Sequence, residues 1–166
     1  MAYQFYLSVK GKTQGSIKGG STKSGKSSTS NSGIICHGFQ YGVQSPRDAA
    51  SGLPSGKRQH SPIVITKEVD QSSPLLYHAL VTNEALDSAV LTFVRPDGSG
   101  KETVYHTVKL TNATISKIGY AVPRKSEHSG PAPSRSESIT FIYEELAVDG
   151  AKNGAIPQSL FRGPWG

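Results

Sequence analysis

The chain has 166 residues, of which 35% are hydrophobic, and it is rich in Gly (18) and Pro (10). This length predicts one domain over residues 1–166 with room for a real core, and the composition favours short strands and long loops over a helical bundle. The single cysteine, Cys36, excludes an internal disulfide, and no apolar run is long enough to span a membrane. The start lacks a basic and then apolar leader, so we expect a soluble chain made in the cytoplasm without a signal peptide.

The net charge of +6 is concentrated in the first third of the chain. Residues 1–60 contain eight Lys and Arg against one acid, Asp48, whereas residues 61–166 contain ten against eleven. Nucleic-acid modules usually combine basic residues with stacking aromatics, and residues 10–33 contain no aromatic. A basic β-barrel module that binds nucleic acid or another polyanion is therefore an alternative function, although nucleic acid is not the partner that we expect.

Alternation of apolar and polar residues predicts seven strands. In chain order they lie within residues 5–10, 34–43, 61–70, 87–95, 102–112, 114–122 and 137–146. The side chains expected on the core faces are Phe5, Leu7, Val9, Ile35, Phe39, Tyr41, Val43, Ala89, Leu91, Phe93, Val104, Val108, Leu110, Ile139, Phe141 and Tyr143. Strands at such short spacing predict an antiparallel sandwich or barrel.

One short helix interrupts the strand series. Ser72 and Ser73 offer an N-cap, and Pro74 suits the first helical position, where its missing N–H costs nothing. Asp70 stands between strand and helix and suits a cap or turn role. The predicted apolar stripe of the helix comprises Leu75, Leu76, Ala79, Leu80 and Ala85. A single helix within a run of strands disfavours a parallel α/β sheet.

Three segments are too long to be simple connections: residues 11–32, 44–60 and 123–137. Loops of this length without secondary structure are usually functional or disordered. The first contains Gly20–Ser27, "GSTKSGKS", which matches the phosphate-binding pattern G-x-x-x-x-G-K-[ST]. That motif needs a buried strand before it and a helix after it, and neither pattern is visible. The stretch before it, KTQGSIKGG, contains a single apolar residue, Ile17, and the residues after it are rich in Ser, Asn and Gly. We interpret the segment as a flexible basic loop, with a nucleotide hydrolase as a further alternative.

No group of residues has the spacing of a catalytic or metal site. The five histidines are scattered: His37, His60, His78, His106 and His128. Cys36 and His37 are adjacent and would point to opposite faces of a strand, while His106 is expected to be buried and hydrogen-bonded. Glu68 and Asp70 could mimic a carboxylate pair, but the turn role of Asp70 explains them better. We therefore expect no enzyme activity, no cofactor and no metal.

Several segments closely resemble the Hcp (haemolysin-coregulated protein) family of bacterial type VI secretion systems. The resemblance lies in "SGKRQHSPIVITKEVDQSSPLLYHALVTNEALDSAVLTFVRPDGSG" (55–100), in Tyr105–Ile118 and in Ser136–Leu146. It covers roughly residues 1–10 and 34–146. The family resemblance implies a compact β-barrel of two packed sheets with one short flanking helix.

The resemblance also implies a function. Six copies would form a ring, and rings would stack into a tube inside a contractile sheath, capped by the spike protein VgrG. The tube would be ejected with effector cargo in its lumen, so that the protein would be cytoplasmic before firing and secreted afterwards, without membrane insertion.

The resemblance implies roles for two sets of residues, one in contacts between rings and one at the start of the helix. In the family, the loop at Gln44–Arg58 reaches towards the neighbouring ring. The candidate stacking residues here are Arg47, Asp48, Leu53, Pro54, Lys57 and Arg58. The residues expected to cap the helix within the family core motif are Asp70, Ser73 and Pro74.

The chain departs from many family members in its basic Gly/Ser/Lys-rich segment Lys10–Gly33. The C-terminal tail predicts a hairpin turn at Asn153–Gly154, with Phe161 or Trp165 as an anchor. Because this tail is short, we expect no fused toxin domain in it.

Overall fold

A computed structural model describes residues 5–20, 33–122 and 135–150, together with the backbone of a strand at 158–162. These residues form eleven strands and one helix. In chain order the elements are β1 (Phe5–Gly11), β2 (Gly15–Ile17), β3 (Ile34–Gln40), β4 (Val43–Gln44), β5 (Gln59–His60), β6 (Ile63–Glu68), α1 (Ser73–Val81), β7 (Leu86–Pro96), β8 (Glu102–Ala121), β9 (Ser136–Ile142), β10 (Glu145–Gly150) and β11 (Gln158–Arg162).

Six of the strands close into an antiparallel barrel. Their order around the barrel is β1, β3, β6, β9, β8, β7 and back to β1. β10 and β11 extend the sheet from β8, β2 pairs with β1, and β4 and β5 form a separate two-stranded sheet. The predicted fold class, a mainly β antiparallel barrel with one short helix, is confirmed.

The long strand β8 differs from the prediction of two strands at 102–112 and 114–122. Its 20 residues run without a break because one edge pairs with β7 while the other edge changes partner, from β10 to β9. Asn112, which has a positive φ of 51°, lies where the change occurs. The strand predicted at 137–146 is correspondingly divided at Tyr143 and Glu144 into β9 and β10.

The predicted inward face of β3 was wrong in its first half. Ile34 and Cys36 are fully buried, whereas Ile35 is only partly so. The pairing of β3 with β6 shifts register between Cys36 and Gly38. This irregularity reverses the alternation, so that Phe39 still packs against the core, as predicted.

Two further residues predicted to be inward are solvent-facing. Val43 is 50% exposed and Val104 is 37% exposed. Both lie on strands that run beyond the barrel, where alternation continues but no core exists to cover it.

The barrel interior holds the hydrophobic core. Leu7, Leu91 and Phe141, predicted to be inward, are fully buried and come from three different barrel strands. Ile17, the isolated apolar residue of the first long segment, is also buried, because β2 pairs back onto β1. The first segment thus contains a short strand that its sequence did not indicate.

The helix α1 begins at Ser73 after the N-cap residue Ser72, so Pro74 is the second helical residue rather than the first. Leu76 and Ala79 are its buried residues. The helix ends at Val81 and does not include Ala85.

Several predicted features lie outside the described residues. Among them are most of the GSTKSGKS motif, nearly all of the segment 123–137, the turn Asn153–Gly154 and Trp165. β10 and β11 do pair as antiparallel strands, with the backbone of Phe161 opposite Leu146.

The barrel has two different ends, which strand register defines. Phe5, at the start of β1, is opposite both Cys36 and Phe93. From there β3 and β7 both continue beyond the level of Phe5 in the same direction, towards β4 and the turn between β7 and β8; we call this the arm end. The opposite end, where β6 stops, α1 lies and β7 begins, is called the helix end.

Candidate functional site

The segment 43–60 forms an ordered projection, here called the arm, rather than an irregular loop. At its base β4 and β5 pair through Val43–His60 and Gln44–Gln59, and the two glutamine side chains share a hydrogen bond of 2.9 Å. Further out, Arg47 and Pro54 form an isolated antiparallel bridge. A connection between β3 and β6 has therefore become a narrow ribbon that leads away from the barrel.

The tip of the arm is held together by Asp48. Its carboxylate accepts hydrogen bonds from the backbone N–H of Ser51 at 3.0 Å and from the Ser51 hydroxyl at 2.6 Å. The Gly52 N–H donates to the Asp48 carbonyl at 2.8 Å, and Arg47 Nη1 donates to the Gly52 carbonyl at 3.0 Å. The Ser51 hydrogen bonds lower the pKa of Asp48, so this carboxylate is ionised at neutral pH.

All six candidate stacking residues lie on this one projection and are exposed: Arg47, Asp48, Leu53, Pro54, Lys57 and Arg58. Leu53 is 65% exposed, although the backbone beside it is hydrogen-bonded. An exposed large apolar side chain on an ordered projection, with cations around it, is typical of an interface with a polar rim.

Tyrosines and a histidine join the arm to the barrel. Tyr41 Oη lies 3.0 Å from His60 Nδ1, and the Tyr143 hydroxyl donates to the Ser61 carbonyl at 3.2 Å. The Ser61 N–H donates to the Gly42 carbonyl at 2.8 Å. Burial raises the pKa of both tyrosines and, together with the charge of Arg58, lowers that of His60. The base of the arm is therefore anchored from both sides.

A buried charge cluster lies at the helix end. Lys67 is fully buried, and its Nζ lies 2.7 Å from Glu137 and 2.9 Å from Asp70. Nζ also donates to the Glu68 carbonyl at 2.8 Å and to the Ser73 hydroxyl at 3.1 Å. The cluster thus connects β6, β9 and the start of α1.

Asp70 and Ser73 lie in this cluster. The Asp70 carboxylate accepts from the backbone N–H groups of Ser72 at 2.9 Å and Gly20 at 3.0 Å, and from the Ser72 hydroxyl. The Ser73 hydroxyl accepts from the Asp70 N–H at 3.0 Å and donates to Glu137 at 2.7 Å. Pro74 follows on the helix and is exposed. Asp70 therefore joins the entry to the helix with the chain that follows β2.

Sequence reasoning missed Lys67 and Glu137. A signal for Lys67 existed, because strict alternation from Ile63 and Ile65 puts it on the inward face of β6. Nothing in the sequence identified Glu137 as its partner, since β6 and β9 are far apart along the chain.

The part of the chain that the structure describes contains no group of three or more residues that could hold a metal ion. No helix among the described residues could cross a membrane. Cys36 is buried, and burial raises the pKa of its thiol to about 12, whereas the neighbouring His37 faces outward. His106, expected to be buried, is only partly so and lies against the ring of Phe93, with 5.2 Å between centroids.

The described features define a class: a closed antiparallel barrel with an ordered projection suited to contacts with other proteins. Comparison with known proteins gives the family. The family described as "Type VI secretion system effector, Hcp" matches residues 6–149. The chain belongs to the Hcp family, which comprises secreted tube proteins of the type VI secretion system.

Individual relatives span the whole chain. A protein of Pseudomonas aeruginosa named "Major exported protein" is 31% identical over 169 residues, covering 99% of this chain and 98% of its own. A crystal structure of an Hcp protein superposes with a TM-score of 0.85 at 27% identity, covering 99% of this chain and all of the other. A mutant Hcp1 of E. coli EAEC 042 gives a TM-score of 0.76 at 25% identity, with the same coverage.

Proposed function

We propose that this protein is the ring-forming subunit of a type VI secretion inner tube. Six copies form a ring, rings stack head to tail, and the tube leaves the cell with effectors in its lumen. Membership of the Hcp family over nearly the whole chain supports this proposal. The observation that carries the stacking step is the ordered, exposed arm with Leu53 near its tip.

The difference between the two barrel ends supports head-to-tail stacking. A heterologous contact needs two distinct, complementary surfaces on each subunit, and repetition of such a contact builds an open filament. The arm lies at one end, and α1 and the charge cluster lie at the other. We propose the exposed arm residues Arg47, Asp48, Leu53, Pro54, Lys57 and Arg58 as stacking contacts.

The remaining partners follow from the same proposal. The spike protein VgrG would cap the tube, the contractile sheath would surround it, and effector proteins would occupy its lumen. The subunit would be cytoplasmic before firing, would leave the cell through the machine, and would serve as a structural component rather than as an enzyme. The name of the exported P. aeruginosa relative agrees with this route.

Size-exclusion chromatography with light scattering, followed by negative-stain imaging, tests the proposal. We expect a mass of six protomers and ring-shaped particles that stack as concentration rises. Leu53→Asp should leave the ring mass unchanged but reduce stacked rings at least tenfold, a loss of at least about 1.4 kcal/mol for each interface between two rings. Leu53→Met, which keeps an apolar side chain of similar volume, is the control. A strict monomer at high concentration would contradict the tube proposal.

The basic first third of the chain supports the alternative, a module that binds a polyanion. If it were correct, affinity for a nucleic acid would fall steeply with salt, because counterions are released on binding. Titration of the purified protein into single-stranded and duplex oligonucleotides at two salt concentrations separates the proposals. Salt-sensitive binding by a protein that forms no rings would favour the alternative.

A further inference from the structure

The arm makes almost no contact with the core. Every residue from 43 to 59 is exposed except Pro46, and none of these residues belongs to the hydrophobic core. An exposed ribbon with so few buried contacts can bend where it joins the barrel. The direction of the arm therefore depends on the residues at its base, where residues 41–42 lead out and residues 60–61 lead back.

The two chains at the base are joined to each other. Tyr41 Oη lies 3.0 Å from His60 Nδ1, and the two rings stack with 6.5 Å between their centroids. The Ser61 N–H donates to the Gly42 carbonyl at 2.8 Å. These contacts hold the outgoing and returning chains side by side. They do not set the angle between the arm and the barrel, because both members of each contact belong to the base itself.

Tyr143 joins this base to a different part of the barrel. It lies in the corner between β9 and β10, and its side chain is only 4% exposed. In the pairing of β6 with β9, Phe141 is opposite Ile63. The same register, continued by two residues, puts Tyr143 level with Ser61. The Tyr143 hydroxyl donates to the Ser61 carbonyl at 3.2 Å and is also hydrogen-bonded to the Tyr41 hydroxyl.

The Tyr143 hydroxyl is not needed to fill the core. The aromatic ring supplies the apolar contacts, as a phenylalanine would, and a nearly buried hydroxyl is unfavourable unless it is hydrogen-bonded. Burial raises the pKa of Tyr143, so the hydroxyl keeps its proton at neutral pH and remains a donor. Its presence is explained by what it holds, which is the backbone of the arm base.

We infer that Tyr143 is a positioning residue for the arm: its hydroxyl, acting on the Ser61 carbonyl and on Tyr41, fixes the direction in which the arm leaves the barrel. This inference rests on the proposed role of the arm in ring stacking and adds the residue that orients it. An arm that leaves the barrel at variable angles loses conformational entropy whenever a ring docks, and an arm held in one direction loses less. Tyr143 needs no contact with the neighbouring ring to have this effect.

Tyr143→Phe removes the hydroxyl and keeps the ring, and hydrogen exchange tests its effect on the arm. The measurement uses dilute protein, in which rings are not stacked, and mass spectrometry with fragmentation to single residues. The Ser61 amide, which donates within the base, should exchange about fivefold faster, as expected for loss of one hydrogen bond. The Asp48 amide, which donates to the Leu53 carbonyl at 2.9 Å, should exchange at the parent rate because the tip keeps its own hydrogen bonds.

The same variant tests the consequence for stacking. Light scattering should give the ring mass of the parent protein, and negative-stain images should show stacked rings reduced at least about fivefold. Tyr77→Phe is the matched control, because it removes a hydroxyl from a side chain that is 59% exposed on α1. The control should change neither the exchange of the arm amides nor the number of stacked rings.

Tyr41→Phe tests whether the two tyrosine hydroxyls act together. Residues in one hydrogen-bond network give non-additive effects. The variant with both substitutions should therefore lose less stacking than the product of the two single effects. A loss equal to that product would overturn the action of Tyr143 through Tyr41.

The outcomes separate this inference from the tube proposal. Faster exchange at Ser61, with intact rings and fewer stacks, supports the positioning role of Tyr143. Unchanged exchange at Ser61, or normal stacking, overturns it and leaves the tube proposal intact. Faster exchange of the β1 amides as well, or loss of the ring, also overturns it, because the hydroxyl would then act on the whole barrel. A parent protein without rings or stacks contradicts the tube proposal, whereas the exchange comparison still decides whether Tyr143 holds the arm.

Discussion

Lys67 is a buried charged residue at the point where β6, β9 and the start of α1 meet. Its side chain is fully buried, and its charge is balanced by Asp70 and Glu137, with the Ser73 hydroxyl and the Glu68 carbonyl as further acceptors. A buried ion pair contributes little net stability, because desolvation offsets the attraction, but loss of one partner strands the other charge. The cluster therefore fixes where β9 and α1 meet β6.

Replacement of this lysine should be strongly destabilising. Lys67→Met leaves two carboxylates without their cation, and we expect the free energy of unfolding to fall by about 3–5 kcal/mol. Lys109→Met, at an exposed position of β8, is the matched control and should change it by less than about 0.5 kcal/mol. Urea unfolding followed by circular dichroism measures both. Similar small losses in the two variants would show that the cluster is not charged as described.

Protonation of Asp70 at low pH should lower the free energy of unfolding. Burial raises its pKa, but hydrogen bonds from Ser72, Lys67 and Gly20 and the Lys67 charge outweigh burial, so the pKa lies below its usual value. A carboxyl group with a lowered folded-state pKa stabilises the fold above its unfolded-state pKa, about 3.9, and loses that contribution as pH falls through the folded value.

Between roughly pH 6 and pH 2, the parent protein should therefore lose more unfolding free energy than Asp70→Asn, which cannot titrate at this position. Urea unfolding at several pH values measures the difference. Parallel pH profiles would contradict the assigned role of Asp70. Both proteins retain the carboxyl groups outside this cluster, so the contributions of those groups cancel in the comparison.

At the scale of elements, the approach of the chain after β2 to the start of β3 depends on Gly19. A Cβ at this position would lie 2.5 Å from the Ile34 Cα and 2.6 Å from the Gly33 carbonyl oxygen, and backbone atoms cannot move aside easily. Gly19→Ala should therefore lower the free energy of unfolding by about 1–3 kcal/mol.

Gly98→Ala adds the same methyl group in open space and is its control. Urea midpoints of the two variants should differ clearly, with the Gly98 variant close to the parent protein. Equal midpoints would mean that the chain around Gly19 can move away from β3 at no cost.

Several elements were predictable because the physics that forms them is local. Alternation identified the inward residues of β1, β7 and β9, and Ser72 with Pro74 marked the start of α1 to within one residue. The positions where strands begin and end were less predictable, because they depend on which other strands pair with them. β8 runs through Asn112 since β9 takes over from β10, and the irregular register after Cys36 depends on β6.

At the scale of the whole molecule, the core is one cluster that receives side chains from all six barrel strands. The pairings of β1 with β7 and of β6 with β9 join distant parts of the chain, so no portion of the barrel has a separate core. We expect one cooperative unfolding transition, with far- and near-ultraviolet circular dichroism changing together, which also tests the predicted single domain over residues 1–166. Two separate transitions would contradict it.

Part of the candidate site was predictable from the sequence, and part of it became visible only in the structure. The position of the arm was predictable, because its turn-forming residues interrupt two strand patterns and the segment resembles a family feature. The ordered conformation of the arm was not predictable from the sequence. It depends on the pairing of Arg47 with Pro54 and on the hydrogen-bonded turn at Asp48, which are properties of the folded backbone rather than of composition.

By itself, the amino-acid sequence determined the fold class, the inward faces of the regular strands, the helix α1 and membership of the Hcp family, because periodicity and motif order are properties of the chain. The tertiary structure alone decided that Lys67 meets Glu137, and that the arm and the turn between β7 and β8 lie at the same end of the barrel. Strand register sets both results. It depends on which distant segments pair, and no local pattern encodes that choice.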